Sequence, residues 1–217
     1  MAKTLLQLQT SLAYRMDENT VPQPTTALFI KRTSFFNEAY RDVMRRHTWW
    51  FSEASTTFDS VAAQASYTTV DGVPADLRSI LELRFQDKLY SPITQNEGMG
   101  SMSTPYSNFS ESYFVFAGSI YFVPPIGTAV TDGISLKYYK THTELTTTAS
   151  TIIIPDIFSD VLVAYAYGRS IANEGERGSA GDGFAEYTEI LKIMTEEQNK
   201  YLFSFKSGSN WLVGEYS

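Results

Sequence analysis

The sequence predicts an α+β fold: a four-helix bundle with an antiparallel β-sheet region inserted between helix two and helix three. Three observations carry this expectation. Apolar residues recur at helical spacing near both ends of the chain, in Leu5, Leu8, Leu12 and Met16 and again in Ile157, Val161, Ala164, Gly168 and Ala172. Between residues 48 and 141 the pattern changes to short β-branched and aromatic runs separated by turn residues. The change is abrupt, because the basic helix end Arg45-Arg46-His47 leads through Thr48 straight into Trp49-Trp50-Phe51.

The first helix is expected over about residues 4–16, with the four apolar positions above on one face. Pro22 and Pro24 then block helix formation through the loop 17–25. A second helix spans about 26–46, with Phe29, Phe36, Tyr40 and Val43 as its apolar stripe. Arg41, Asp42, Glu38 and Arg45 fall off that stripe at spacings that allow ion pairs. Arg45, Arg46 and His47 occupy its last turn, where cations meet the negative end of the helix dipole.

Strands follow within 48–141. Residues 48–59 and 65–70 read as extended, and the turn Asp71-Gly72-Val73-Pro74 closes that section. Residues 78–85 and 88–93 make a hairpin about Gln86-Asp87. The stretch 94–111 is rich in Gly, Ser, Met and Asn and reads as a long loop. Two aromatic runs within Tyr113–Val123 flank Gly118-Ser119, a second hairpin, which Pro124-Pro125 ends. Ile134–Thr141 roughly alternates and gives a last strand.

Helical period returns near residue 156, with Asp156 as N-cap, and continues to about 173. Gly168 lowers helix stability by about 1 kcal/mol relative to Ala, which suits close approach of another helix. The run 173–183, with four glycines, reads as a flexible connection. A final helix covers about 183–205, placing Phe184, Tyr187, Leu191, Met194, Tyr201, Leu202 and Phe205 roughly on one side. The chain thus reads as one domain over 1–205 followed by a tail, 206–217.

Composition narrows the function classes. Charged residues are only 19% of the chain, below the usual quarter, which favours contact surface over heavily solvated helices. The net charge is −7, split as +3 over residues 1–50 and −5 over each of 51–150 and 151–217. An acidic body repels phosphate, so passing DNA is not held specifically. The absence of cysteine excludes disulfides and thiolate metal sites. The N-terminus carries no secretory signal pattern and no apolar run is long enough to span a membrane.

No catalytic constellation emerges. The glycines of Gly175–Gly183 lack dinucleotide spacing, follow no strand, and stand beside Glu174, Glu176, Asp182 and Glu186. His47 and His142 are far apart, and neither has a second histidine at i+3 or i+4. The adjacent pairs Asp17-Glu18 and Glu196-Glu197 point in different directions on a helix and read as solvated. Catalytic, cofactor and metal residues are therefore expected to be none. The candidates are contact residues: Trp50, Phe203, Phe205, Trp211, Leu212, Val213 and Tyr216. Trp50 would point outward if Trp49 and Phe51 face the core of a strand, with a covering helix layer as the competing reading. The last four apolar residues sit beyond a hinge-like Lys206-Ser207-Gly208-Ser209-Asn210.

Several segments together resemble the head-to-tail adaptor (connector, head-completion) family of tailed phages. They are Thr4-Leu5-Leu6-Gln7-Leu8, Phe36–Val43 followed by Trp49, and Val73-Pro74-Ala75-Asp76 with the strand after it. Tyr121-Phe122-Val123-Pro124-Pro125, Leu136-Lys137-Tyr138-Tyr139, Ile154–Phe158 and Leu162–Tyr165 continue the series in order. The likeness covers about residues 4–203 and has no catalytic residues to carry over. It implies a virion structural protein made in the bacterial host cytoplasm, without cofactor or membrane. It also implies a twelvefold ring under the portal protein, a continued DNA channel and a platform for the next neck or tail protein. Another neck or tail-completion protein, or a small phage enzyme or regulator, remain as alternative readings.

Overall fold

The computed structural model describes residues 2–103, 110–175 and 177–209. The chain divides into two compact units. One is helical and made of Met1–Ser52 and His142–Ser217; the other, Glu53–Thr141, is mostly β and is inserted between its halves in sequence.

In the helical unit, α1 (Leu5–Arg15) begins at Thr4, whose hydroxyl accepts from the Gln7 N–H while the Gln7 side chain accepts from the Thr4 N–H. This reciprocal cap satisfies two otherwise orphaned donors. Leu5, Leu8 and Leu12 are fully buried. α2 (Ala27–Arg46), capped by Thr26, buries Phe29, Phe36, Tyr40 and Val43 as its periodicity requires, and Phe35, Ala39 and Met44 beside them. α4 (Asp160–Glu174) buries Val161, Ala164 and Gly168, whereas Ile157, before it, is 80% exposed. α5 (Arg177–Ser209) contributes Tyr187, Leu191 and Met194 to the same core.

The second unit holds a curled seven-stranded sheet. Its strands are β1 (Glu53–Ser60), β2 (Ser66–Tyr67), β3 (Leu77–Phe85), β4 (Lys88–Pro92), β5 (Ser112–Phe116), β6 (Ser119–Val123) and β7 (Val130–Lys140). The strand order is β1-β7-β3-β4-β5-β6-β2. β4 and β5 run parallel; every other neighbouring pair is antiparallel. Phe58, Tyr67, Leu83, Phe122, Ile134 and Leu136 form its core.

The expected four-helix bundle with a purely antiparallel insert is therefore overturned. Five α-helices occur among the described residues, and the sheet is mixed. The fifth, α3 (Gln95–Ser103), lies in the stretch read as a long loop. Its glycines and serines gave no apolar stripe. Its start was nevertheless signalled, because Thr94-Gln95-Asn96-Glu97 is a capping box, with the Glu97 carboxylate accepting from the Thr94 N–H and hydroxyl. α3 also explains the parallel pair. Parallel neighbours need a crossover of a dozen or more residues, and residues 93–111 supply it.

Two further differences share one cause, tertiary packing. Trp50–Ser52 form a 3-10 turn, and β1 starts only at Glu53. The glycine-rich run read as a connection is mostly helix. Gly175, at φ +92°, ends α4, and α5 starts at Arg177. Gly183 then lies against Gly168: a Cβ on Gly183 would fall 2.8 Å from the Gly168 nitrogen and 2.9 Å from its Cα. These glycines bring two backbones together instead of loosening the chain.

That contact gives a paired prediction. Gly183→Val forces the helices apart and lowers stability by about 1–3 kcal/mol, an overpacking cost. Gly181→Ala, where a Cβ meets nothing within 4 Å, raises stability by up to about 1 kcal/mol through helix propensity. Thermal melts of the two variants against the parent read both signs.

Candidate functional site

The aromatic junction after α2 is the first place to look for function, and within one copy it fastens segments of the helical unit together. α2 stops at Arg46, leaving its last carbonyls without helical partners. The Trp49 indole N–H donates to one of them, the Val43 carbonyl, at 2.7 Å, and the ring is fully buried. Phe51 stacks on Trp49 at 5.5 Å between ring centroids, and His47 meets it edge-on at 4.9 Å. The 3-10 turn breaks strand alternation, so Trp50 does not simply point the other way.

Trp50 is half-buried against Phe51, Phe158 and Tyr201. Its backbone N–H donates to the Gln198 side-chain oxygen at 2.9 Å, and Gln198, on α5, is only 3% exposed. Farther up α5, the Tyr187 hydroxyl donates to the Asp42 carboxylate, which also pairs with Arg46. Burial is the chief cause that pushes the Tyr187 phenol well above its ordinary range, with the Asp42 bond adding to it.

Tyr40 holds the returning chain. Its hydroxyl accepts from the Ile153 N–H at 2.9 Å, and burial pushes its pKa up to about 12. Asn37 brackets Leu145 from the same helix, donating to its carbonyl and accepting from its N–H. His142 packs edge-on against Tyr40 at 5.2 Å. Both histidines are thus placed among aromatic rings in the helical unit.

Sequence reading missed one charged residue of structural weight. Arg32 is 1% exposed and pairs with Glu18 in the loop after α1. Glu18 therefore does more than solvate a surface, since it neutralises a buried guanidinium. Nothing in the spacing of these residues announces the pair, which joins positions 14 apart.

Phe203 and Phe205 fall on the last turns of α5, and their side chains lie outside the described residues, as do Trp211, Leu212, Val213 and Tyr216. Among the described residues, no group of three or more His, Cys, Asp or Glu is placed to hold a metal ion. No helix among them is long and apolar enough to cross a membrane.

The β unit carries a different feature, a groove of about 460 Å³. Leu77, Ser79 and Ile80 of β3 form one wall; Pro92, Ile93 and Tyr113–Val115 form the other. Val115 and Phe116 at the β5–β6 turn and Val70 near Thr69 are exposed apolar residues. The sequence reading made none of these a contact candidate.

The described residues thus form a helical unit interrupted in sequence by a β insertion. The chain matches the SU10 adaptor protein family over residues 3–205, and so belongs to it. That is a family of phage head–tail adaptors, structural components of the virion. No curated protein matches the chain.

Two measurements check the junction. Trp49→Ala removes a buried ring and reopens a helix carbonyl, and lowers stability by about 3–5 kcal/mol in denaturant titration. The Tyr40 phenol is raised in the fold to about 12 from 10.0, so its contribution is fully present below pH 10. Stability then falls as pH rises from about 10 towards 12, and Tyr40→Phe flattens that decline in melts recorded against pH.

Proposed function

We propose that the protein forms a ring beneath the portal, joins the capsid to the tail and continues the channel through which DNA passes. The family match across residues 3–205, which spans both units, is the observation that carries this reading. The portal and the next neck or tail protein are its partners, and the twelvefold symmetry comes from the resemblance described above. The neck of the virion is its location.

The charge distribution supports a channel that lets DNA slide. The net charge is −7, and α5 alone presents Asp182, Glu189 and Glu196 on exposed positions. An acidic lining repels phosphates and offers no sequence-reading contacts.

Purified alone, the chain is a monomer or weak oligomer; mixed with assembled portal, it forms rings visible in negative stain and co-elutes at ring mass. A stable small oligomer that ignores portal would sink the reading.

A further inference from the structure

The groove in the β unit exists because the sheet splits. β3 pairs with β4 only through Leu83–Phe85, although β3 begins at Leu77. Ser91 and Ile93 donate their N–H groups to Glu111 and Tyr113 on the β5 side, at 2.8 Å each. The residue between them would aim its N–H at β3, but it is Pro92, which has none. β4 therefore parts from β3 at this proline. From Ser79 to Glu82, β3 keeps β7 on one edge and pairs with no described strand on the other. An open strand edge beside an apolar trough is the geometry of strand addition, in which backbone bonds give affinity and alternate side chains fill pockets.

The occupant can be read from the same chain. The family match ends at residue 205, and α5 ends at Ser209. Asn210-Trp211-Leu212-Val213-Gly214-Glu215-Tyr216-Ser217 follows, with no proline and three consecutive large apolar residues, a sequence suited to an added strand. Eight residues extend to roughly 26–29 Å, more than the length of Leu77–Glu82. A tail on one copy and a slot on the next are unlike surfaces, the head-to-tail kind of contact that closes a ring.

We propose that the C-terminal segment around Trp211–Val213 of one copy adds as a strand along β3 in the groove of a neighbouring copy. This rests on the reading of the protein as a ring-forming adaptor. Ser79 and Val115 both line the slot, and Pro92 is what holds it open.

The natural chain has no cysteine, so introduced thiols report the contact directly. Full-length Val213→Cys protein is mixed with full-length Ser79→Cys or Val115→Cys protein and oxidised mildly. A disulfide between the two polypeptides is the expected result, and Trp211→Ser with Leu212→Ser in the tail partner weakens the contact by about tenfold or more per lost anchor. Unchanged melting of that tail variant shows that its fold is intact. No link from either mixture overturns the proposal. So does a link that forms only within one chain when both thiols are placed together, because the tail then fills its own groove. Mass measurement on portal tests the ring separately: copies that link but never form rings sink the ring reading and keep the contact, whereas rings without the link do the reverse.

Discussion

The burial of Trp49 is the constraint on which the helical unit depends. A helix that ends inside a protein must find donors for its last carbonyls or leave them desolvated. Here one indole N–H supplies a donor to Val43, and the same ring fills the space beneath Phe51 and His47. The chain can therefore stop α2 within three residues of a fully buried side chain. The backbone N–H of Trp50 then reaches Gln198, so the end of α2 and the second half of α5 are fastened by a single short segment.

Around that fastening, polar groups are used sparingly and are mostly satisfied. Arg32 is neutralised by Glu18, Asn37 brackets Leu145, and the Tyr40 hydroxyl receives the Ile153 N–H. Each bond ties α2 to a segment distant in sequence. Removing one partner would leave a buried group unpaired, which costs more than the bond itself contributes. The long helix α2 thus serves as the spine to which the loop after α1 and the chain returning from the β insertion are both attached.

The β unit is organised on a different principle. α3 supplies the crossover that makes β4 and β5 parallel, and Pro92 prevents β4 from completing its pairing with β3. In the proposed contact, that unfinished edge is where a strand from another copy adds. The structural role of the chain follows from its membership of a head–tail adaptor family.

The sequence by itself determined the helices with a clear apolar stripe. Leu5-Leu8-Leu12 and Phe29-Phe36-Tyr40-Val43 are buried as their spacing requires, because a 3.6-residue period leaves one face to bury. It also determined the hairpin about Gln86-Asp87 and the existence of a second one, whose turn it put at Gly118-Ser119 and which the structure forms at Ala117-Gly118, where local turn chemistry decides. The order of these segments sufficed to identify the adaptor resemblance. α3 had only its capping box to show, and the glycines of 175–183 carried opposite meanings that only a neighbouring backbone could separate. Gly175 ends a helix through its positive φ, whereas Gly183 continues one because Gly168 leaves no room for a side chain. Trp50 read either as an outward strand residue or as one covered by a helix layer, and only the 3-10 turn and its contacts with α5 half-bury it; the slot beside β3 arises from a proline whose missing N–H matters only once a partner strand lies opposite. Local pattern fixes what a segment prefers; contacts between segments far apart in sequence decide which preferences survive.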